Sequence, residues 1–108
     1  MNTYLTNTFS PRMLRTGASA YVSGLSPREA MGMACAPNIV DCISHDVTAS
    51  IFSGLLGRKV EHTRVDLSLE PGDQLICLIP NFRANEAREF TYDEVASSGV
   101  LAYLIQVA

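Results

Sequence analysis

The sequence predicts an α/β domain in which a mixed sheet of about five or six short strands is flanked by helices. Short β-branched or alternating segments follow one another along the chain, with capped helical segments between them. Turn residues at 70–73, between two extended segments, predict a hairpin, so the sheet is not expected to be purely parallel. With 108 residues and no internal repeat or linker, the chain is expected to form one domain over residues 1–108.

The first part of the chain predicts strands in alternation with helical segments. Strands are expected over residues 4–6, 19–24 and 39–43, and a helical turn over 11–14. Ser26, Pro27 and Glu29 match a capping box with proline at the first helical position, so a helix begins there. It is expected to run to about Ala36, because Pro37 does not continue a helix.

A second helix is predicted directly after the third strand. Val47, Ile51 and Leu55 recur at helical spacing, and Gly57 is a stop signal. His45 therefore lies at a strand-to-helix junction, where backbone N–H groups without helical partners attract anions.

The remainder predicts a hairpin, a polar loop and a closing strand. Residues 60–69 alternate between apolar and polar side chains, as in a strand that is solvated on one face. The nearly all-apolar residues 74–79 follow the turn and are expected to pair with that strand. The polar stretch 80–90 is interpreted as a functional loop, and a second capping box opens a short helix over 91–98. Residues 100–107 predict the last strand.

Composition and charge restrict the classes of function. Apolar runs are far shorter than the ~20 residues that cross a bilayer, and the N-terminus lacks a basic leader, so neither membrane insertion nor export is expected. A net charge of −3 argues against binding duplex DNA through a broad basic surface. A small anionic ligand is compatible with it. Seven of the eight basic residues are arginine, which suits phosphate, although genome composition explains that bias equally well.

The cysteines and the missing motifs favour chemistry without a metal. Cys35, Cys42 and Cys77 occur at spacings that fit neither a zinc site nor a redox pair, so reduced, partly buried thiols in a cytoplasm are expected. The sequence contains no glycine-rich phosphate loop, serine elbow or histidine pair at metal-ligand spacing. A reaction without metal or other cofactor is therefore the simpler expectation, and RNA suits it because its own 2′-hydroxyl can act as the nucleophile.

His45, Arg83 and Glu86 are the candidate catalytic residues. An imidazole at a helix N-terminus can hold a phosphate and donate a proton to it, although the same position suits a histidine that only caps its helix. Arg83 and Glu86 lie three residues apart, after a predicted buried strand. Loops in that position often display binding groups, and a solvated charged loop is the alternative.

Ser10, with Asn7 and Arg12 nearby, combines a hydroxyl, an amide and a guanidinium. Such a turn can hold a phosphate through backbone and side-chain donors, while a Ser-Pro step is also a routine helix start, so both interpretations stay open. His62, on the solvated face of its predicted strand, is assigned no role.

Several spaced segments resemble the viral ring nucleases, the anti-CRISPR family that acts against type III systems. Segment 5–14, LTNTFSPRML, resembles that family's opening pattern LxNAFSxxML, and segment 44–49, SHDVTA, is similar to its GHxxTA motif. Similar pieces continue in order at 64–65, 69–73 and 83–86, so the resemblance covers nearly the whole chain. The chain departs from the pattern at Thr8 and Ser44, where alanine and glycine are usual.

The resemblance implies an enzyme that opens cyclic tetra-adenylate, the messenger made by activated type III CRISPR complexes. The implied protein is a homodimer in the host cytoplasm, and its two-fold groove holds the ring. His45 is then the general acid, with Arg83 and Glu86 completing the site, while Asn7 and Ser10 lie in the ligand-binding turn. Arg12 and Ser44 complete the expected substrate-binding set.

The implied reaction is attack by a ribose 2′-hydroxyl on the neighbouring phosphorus, which gives linear products that end in a 2′,3′-cyclic phosphate.

Two rival functions remain open at this point. One is a sponge that binds the cyclic nucleotide without cutting it. The other is a small viral adaptor without chemistry, for which a basic stripe or a large exposed apolar patch is expected.

Overall fold

The computed structural model describes residues 1–63, 66–80 and 100–108. The strands in these ranges are β1 (Thr3–Thr6), β2 (Ala20–Leu25), β3 (Ile39–Asp41), β4 (Gln74–Pro80) and β5 (Val100–Val107). The helices are α1 (Pro27–Ala34) and α2 (Asp46–Leu56), and a 3-10 turn spans Pro11–Met13. Neither helix in this part of the chain has the length and apolar character needed to span a membrane.

The five strands form one mixed sheet in the order β2-β5-β4-β1-β3. β1 lies between β3 and β4 and runs parallel to both. β5 is antiparallel to β4 on one side and to β2 on the other. This sheet with its helices confirms the predicted α/β class and the predicted number of strands.

Apolar side chains cover both faces of the sheet. On one face, Phe52 of α2 packs into a buried cluster with Leu5 of β1 and Ile76 of β4. On the other face, Leu75 of β4 is buried together with Leu69. Burying a side chain of this size contributes about 1.5–3 kcal/mol, so the two clusters hold β1 and β4 in register from both sides.

The predicted hairpin of residues 60–69 with 74–79 is wrong. β4 is an inner strand whose two edges are already paired with β1 and β5, so no edge is left for residues 60–69. Among the described residues of that segment, pairing is limited to isolated bridges of His62 with Ile43 and of Leu69 with Leu14. The alternation was nevertheless a correct sign of sidedness, since Leu69 is fully buried while Asp66 and Ser68 are exposed.

Most other boundaries agree with the prediction to within two residues. α1 ends at Ala34 instead of about Ala36, because Cys35 already leaves the helical conformation as the C-cap. α2 ends at Leu56, and its C-cap is Gly57, whose φ of 67° is the left-handed conformation that glycine adopts without strain. The helix predicted over 91–98 lies outside the described residues.

All three cysteines are free, as predicted. Cys42 and Cys77 are buried, whereas Cys35 is exposed. Burial raises the pKa of the Cys77 thiol to about 11 and also raises the pKa of Cys42. Both buried thiols are therefore protonated at neutral pH and are poor nucleophiles.

A bidentate ion pair joins Asp41 of β3 to Arg58, the residue after the C-cap of α2. Arg58 Nη2 lies 2.7 Å from Asp41 Oδ1, and Nη1 lies 2.9 Å from Oδ2. The same guanidinium donates to the carbonyl oxygen of Ala34, at the end of α1. Only 8% of the Asp41 side chain is exposed, and its hydrogen bond with Arg58 lowers the pKa of this carboxyl. The pair therefore fixes α1, β3 and α2 relative to one another.

Arg58→Ala is expected to lower the free energy of unfolding by about 2–4 kcal/mol, because it leaves the buried carboxylate of Asp41 without its charge partner. Arg58→Lys keeps the charge but loses the bidentate geometry, so a smaller loss of unfolding free energy is expected.

Since the pKa of Asp41 is lowered from 3.8, the pair stabilises the fold fully above about pH 4 and loses this contribution as the pH falls further. Urea unfolding of the wild type and Asp41→Asn between about pH 7 and about pH 2 measures the effect. A stability difference that stays constant over this range would contradict it.

Candidate functional site

Segments that carry predicted site residues follow the carboxyl ends of the three adjacent parallel strands. Asn7 comes directly after β1, which ends at Thr6, and Ser44 and His45 follow β3. β4 ends at Pro80, three residues before Arg83 in the sequence. Parallel strands end at the same edge of a sheet, and in open α/β sheets ligands bind beyond that edge. The topology therefore makes this edge the candidate site.

His45 is the N-cap residue of α2, as the sequence predicted. Its side chain makes no capping hydrogen bond, and the residue is exposed. Since α2 is 11 residues long, its first turn carries a partial positive charge and N–H groups without helical partners. His45 therefore occupies the N-cap position through its backbone alone, and its catalytic role stays a prediction.

Asn7 lies in a turn that Thr6 organises. The Thr6 hydroxyl donates to the carbonyl oxygen of Thr8 over 2.9 Å and accepts from the backbone N–H of the same residue over 3.2 Å. Among the described residues, Asn7 Oδ1 is a buried side-chain oxygen with no hydrogen-bond partner. Buried acceptors of this kind are rare, and a ligand donor is one explanation for such an atom.

Ser10 and Arg12 occupy the 3-10 turn that follows. Ser10 is its N-cap, and its hydroxyl accepts a hydrogen bond from the backbone N–H of Arg12 over 3.3 Å. The helix-start interpretation of the Ser-Pro step is therefore correct for the backbone. Arg12 is exposed, so its guanidinium is accessible to an anion.

His62 contacts both sequence neighbours of His45. Its Nδ1 lies 2.5 Å from the carboxylate of Asp46, and its Nε2 lies 3.0 Å from the carbonyl oxygen of Ser44. The sequence prediction gave His62 no role, because the assumed hairpin placed it on an open face. No local signal identifies this contact, since His62 and Ser44 are 18 positions apart and meet only through the bridge with Ile43.

Arg83 and Glu86, the other two predicted catalytic residues, lie outside the described residues, as does the predicted motif at 64–65. Their roles stay predictions. Among the described residues, no group of three or more histidine, cysteine or acidic side chains is placed to share a metal ion.

A cavity of about 290 Å³ lies at the opposite end of the strands. Its lining includes Thr3, Ile39 and Gln74, which begin β1, β3 and β4. The described lining residues carry no charged side chain, so they offer little to a polyanion. The cavity is therefore separate from the edge that carries His45.

A family model described as STIV B116-like matches residues 3–103. The chain belongs to the STIV B116-like family. ORF116 of Acidianus filamentous virus 1 (isolate United States/Yellowstone) is 25% identical to this B116-like chain over 96 residues, which cover 88% of the chain and 83% of the relative.

Among solved structures, B116 of Sulfolobus turreted icosahedral virus is similar to this B116-like chain, with a TM-score of 0.83. The match covers 98% of this chain and 99% of that protein, at 19% identity, so it shows a shared fold. Both relatives are viral proteins, which supports a viral origin for this chain.

Proposed function

We propose that this chain is a metal-independent ring nuclease that opens cyclic oligoadenylate, with cyclic tetra-adenylate as its substrate, and so ends type III CRISPR signalling. The observation that carries the proposal is the convergence of segments at one sheet edge. Asn7 follows β1, His45 follows β3, and β4 leads into the segment that contains Arg83. A ligand that lies across three strand ends would contact all three segments.

The reaction needs a proton for the departing 5′-oxygen and stabilisation of charge on the phosphorane oxygens. His45 is accessible and its side chain makes no capping contact, so its imidazole is available to donate the proton. The partial positive charge of the first turn of α2 would stabilise the phosphate whose leaving oxygen His45 protonates. Arg83 would neutralise further charge, while Glu86 would orient Arg83 or His45, or accept a hydrogen bond from the ribose.

The substrate itself would supply the nucleophile, which is a ribose 2′-hydroxyl. With the ring splayed so that a 2′-hydroxyl lies in line with the phosphorus and the 5′-oxygen, positioning lowers the barrier by several kcal/mol. The 2′-oxygen gives up its proton to water as it bonds to phosphorus, the bond from phosphorus to the 5′-oxygen breaks, and His45 donates a proton to the leaving oxygen. A linear product with a 2′,3′-cyclic phosphate results.

Asn7 would supply recognition of the nucleoside. Its buried Oδ1 accepts no hydrogen bond from the described residues, and it needs an N–H or O–H donor. Cyclic oligoadenylate carries both kinds of donor, in the adenine amino groups and the ribose hydroxyls. Phosphate binding would fall to the Ser10 turn, to Arg12, and to the backbone beside Ser44.

The first prediction concerns recognition. Asn7→Ala is expected to change the free energy of unfolding by less than about 1 kcal/mol, because Oδ1 loses no hydrogen bond within the described structure. Affinity for cyclic tetra-adenylate is expected to fall about 10- to 100-fold, since a two-fold dimer loses the contact twice. Thr8→Ala, an exposed neighbour in the same turn, is the matched control and should leave affinity within about twofold. Equal affinities of the wild type and Asn7→Ala in calorimetry would rule out the recognition role.

The second prediction concerns the chemical step. His45→Ala is expected to lower single-turnover cleavage of labelled cyclic tetra-adenylate by about 10²–10⁴-fold while binding is largely retained. Ser50→Ala, at an exposed position of the same helix, should cleave at the wild-type rate. Wild-type cleavage by His45→Ala would remove His45 from the mechanism. Ring that stays intact with the wild-type protein would favour the sponge, and absence of binding would favour an adaptor.

The third prediction concerns assembly. A four-fold ring contains the two-fold axis that an isologous dimer supplies, so two equivalent sites would face opposite phosphates. Sedimentation at micromolar concentration is expected to show dimers, and cleavage should fall on dilution below the dimer dissociation constant. Full activity of a purely monomeric protein would contradict the shared groove.

A further inference from the structure

We infer that His62 is a positioning residue for His45, which it holds by bridging the two residues on either side of it. The inference rests on the proposed function for its catalytic meaning, but the bridge itself is a feature of the free protein. His62 lies in the segment 60–69, which contributes no strand among its described residues, and it contacts Ile43 through a backbone bridge and Ser44 and Asp46 through its ring.

Both ring nitrogens of His62 face oxygen acceptors. Nδ1 lies 2.5 Å from Asp46 Oδ1 at the first helical position, and Nε2 lies 3.0 Å from the Ser44 carbonyl oxygen. A neutral imidazole has one N–H, whereas the imidazolium has two and donates to both partners at once. In its doubly protonated form, the ring therefore ties the residue before His45 to the residue after it.

Backbone hydrogen bonds restrain the chain on both sides of His45. The Thr63 N–H donates to the Ile43 carbonyl oxygen over 3.0 Å, next to the bridge of His62 with Ile43. On the helical side, the Ala49 N–H donates to the His45 carbonyl oxygen over 3.0 Å. The backbone of His45 is thus fixed on both sides, although its side chain is exposed and makes no capping bond.

His62 also contacts the acidic side chain at the head of this helix. The Asp46 side chain is 83% exposed and stands beside the amides that would receive a substrate phosphate. An unpaired carboxylate at that position would repel the phosphate. The contact with His62 directs the carboxylate toward residue 62.

The test separates the two contacts with isosteric variants. His62→Gln places an amide N–H where Nε2 was, so it can keep the contact with Ser44, and His62→Asn places one where Nδ1 was, facing Asp46. His62→Ala removes both contacts. If His62 positions His45, then kcat for cyclic tetra-adenylate is expected to fall about tenfold in His62→Ala, with KM within about threefold, and to recover partly in each amide variant. Unchanged kcat in His62→Ala would overturn the role, and a change confined to KM would assign His62 to ligand binding instead.

Amide hydrogen exchange of the free protein tests the bridge without reference to catalysis. Exchange of the Thr63 and Ala49 amides is expected to accelerate in His62→Ala. The Gly57 amide, which donates to Ser53 at the other end of α2, is the internal control and should not change. Unaltered exchange at Thr63 and Ala49 would refute the bridge even if the protein is an active nuclease. Faster exchange in a protein that leaves the ring intact would keep the bridge and reject the proposed function.

Discussion

The parallel pairing of β1 with both β3 and β4 is the constraint on which the rest of the structure depends. β1 is only four residues long, yet its central position brings the ends of three strands to one edge of the sheet. A short strand is held there by burial, since Leu5 and Thr6 are essentially inaccessible and the apolar clusters lie on both faces. Because β1 lies between β3 and β4, Asn7 follows a strand that neighbours both of the others.

Local signals predicted most of the fold, and pairing partners were the part that they did not determine. The capping box at Ser26, the helical spacing in α2 and the stop at Gly57 depend on residues close in sequence. The pairing of β4 depends on which distant strands compete for its edges, and β1 and β5 occupy them. The turn at 70–73 is real, but the chain before it lies across a sheet face, with Leu69 buried against β4.

The candidate site likewise contains residues that local sequence predicted and one residue that it did not. His45 was predicted from its junction between a strand and a helix, and the structure places it at the N-cap. Asn7 was predicted as a binding residue, but only the structure shows that its oxygen is buried without a partner among the described residues. His62 was not recognised because its contacts with Ser44 and Asp46 require a tertiary arrangement that the hairpin assumption excluded.

Both ends of α2 are restrained by tertiary contacts, so an exposed histidine at its N-cap can still have a fixed backbone. At its N-terminus, His62 bridges Ser44 and Asp46, and beyond its C-terminus Arg58 returns to Asp41 on β3. The two attachments differ in strength. The Arg58 pair is bidentate and largely buried. The Asp46 carboxylate is mostly in water, where an ion pair contributes about 1 kcal/mol or less to the stability of the fold. The buried pair therefore sets the direction of the helix axis, and the exposed bridge sets the final orientation of His45 at the N-cap. In the proposed reaction, which would depend on alignment, that second adjustment would affect the rate far more than the stability of the fold.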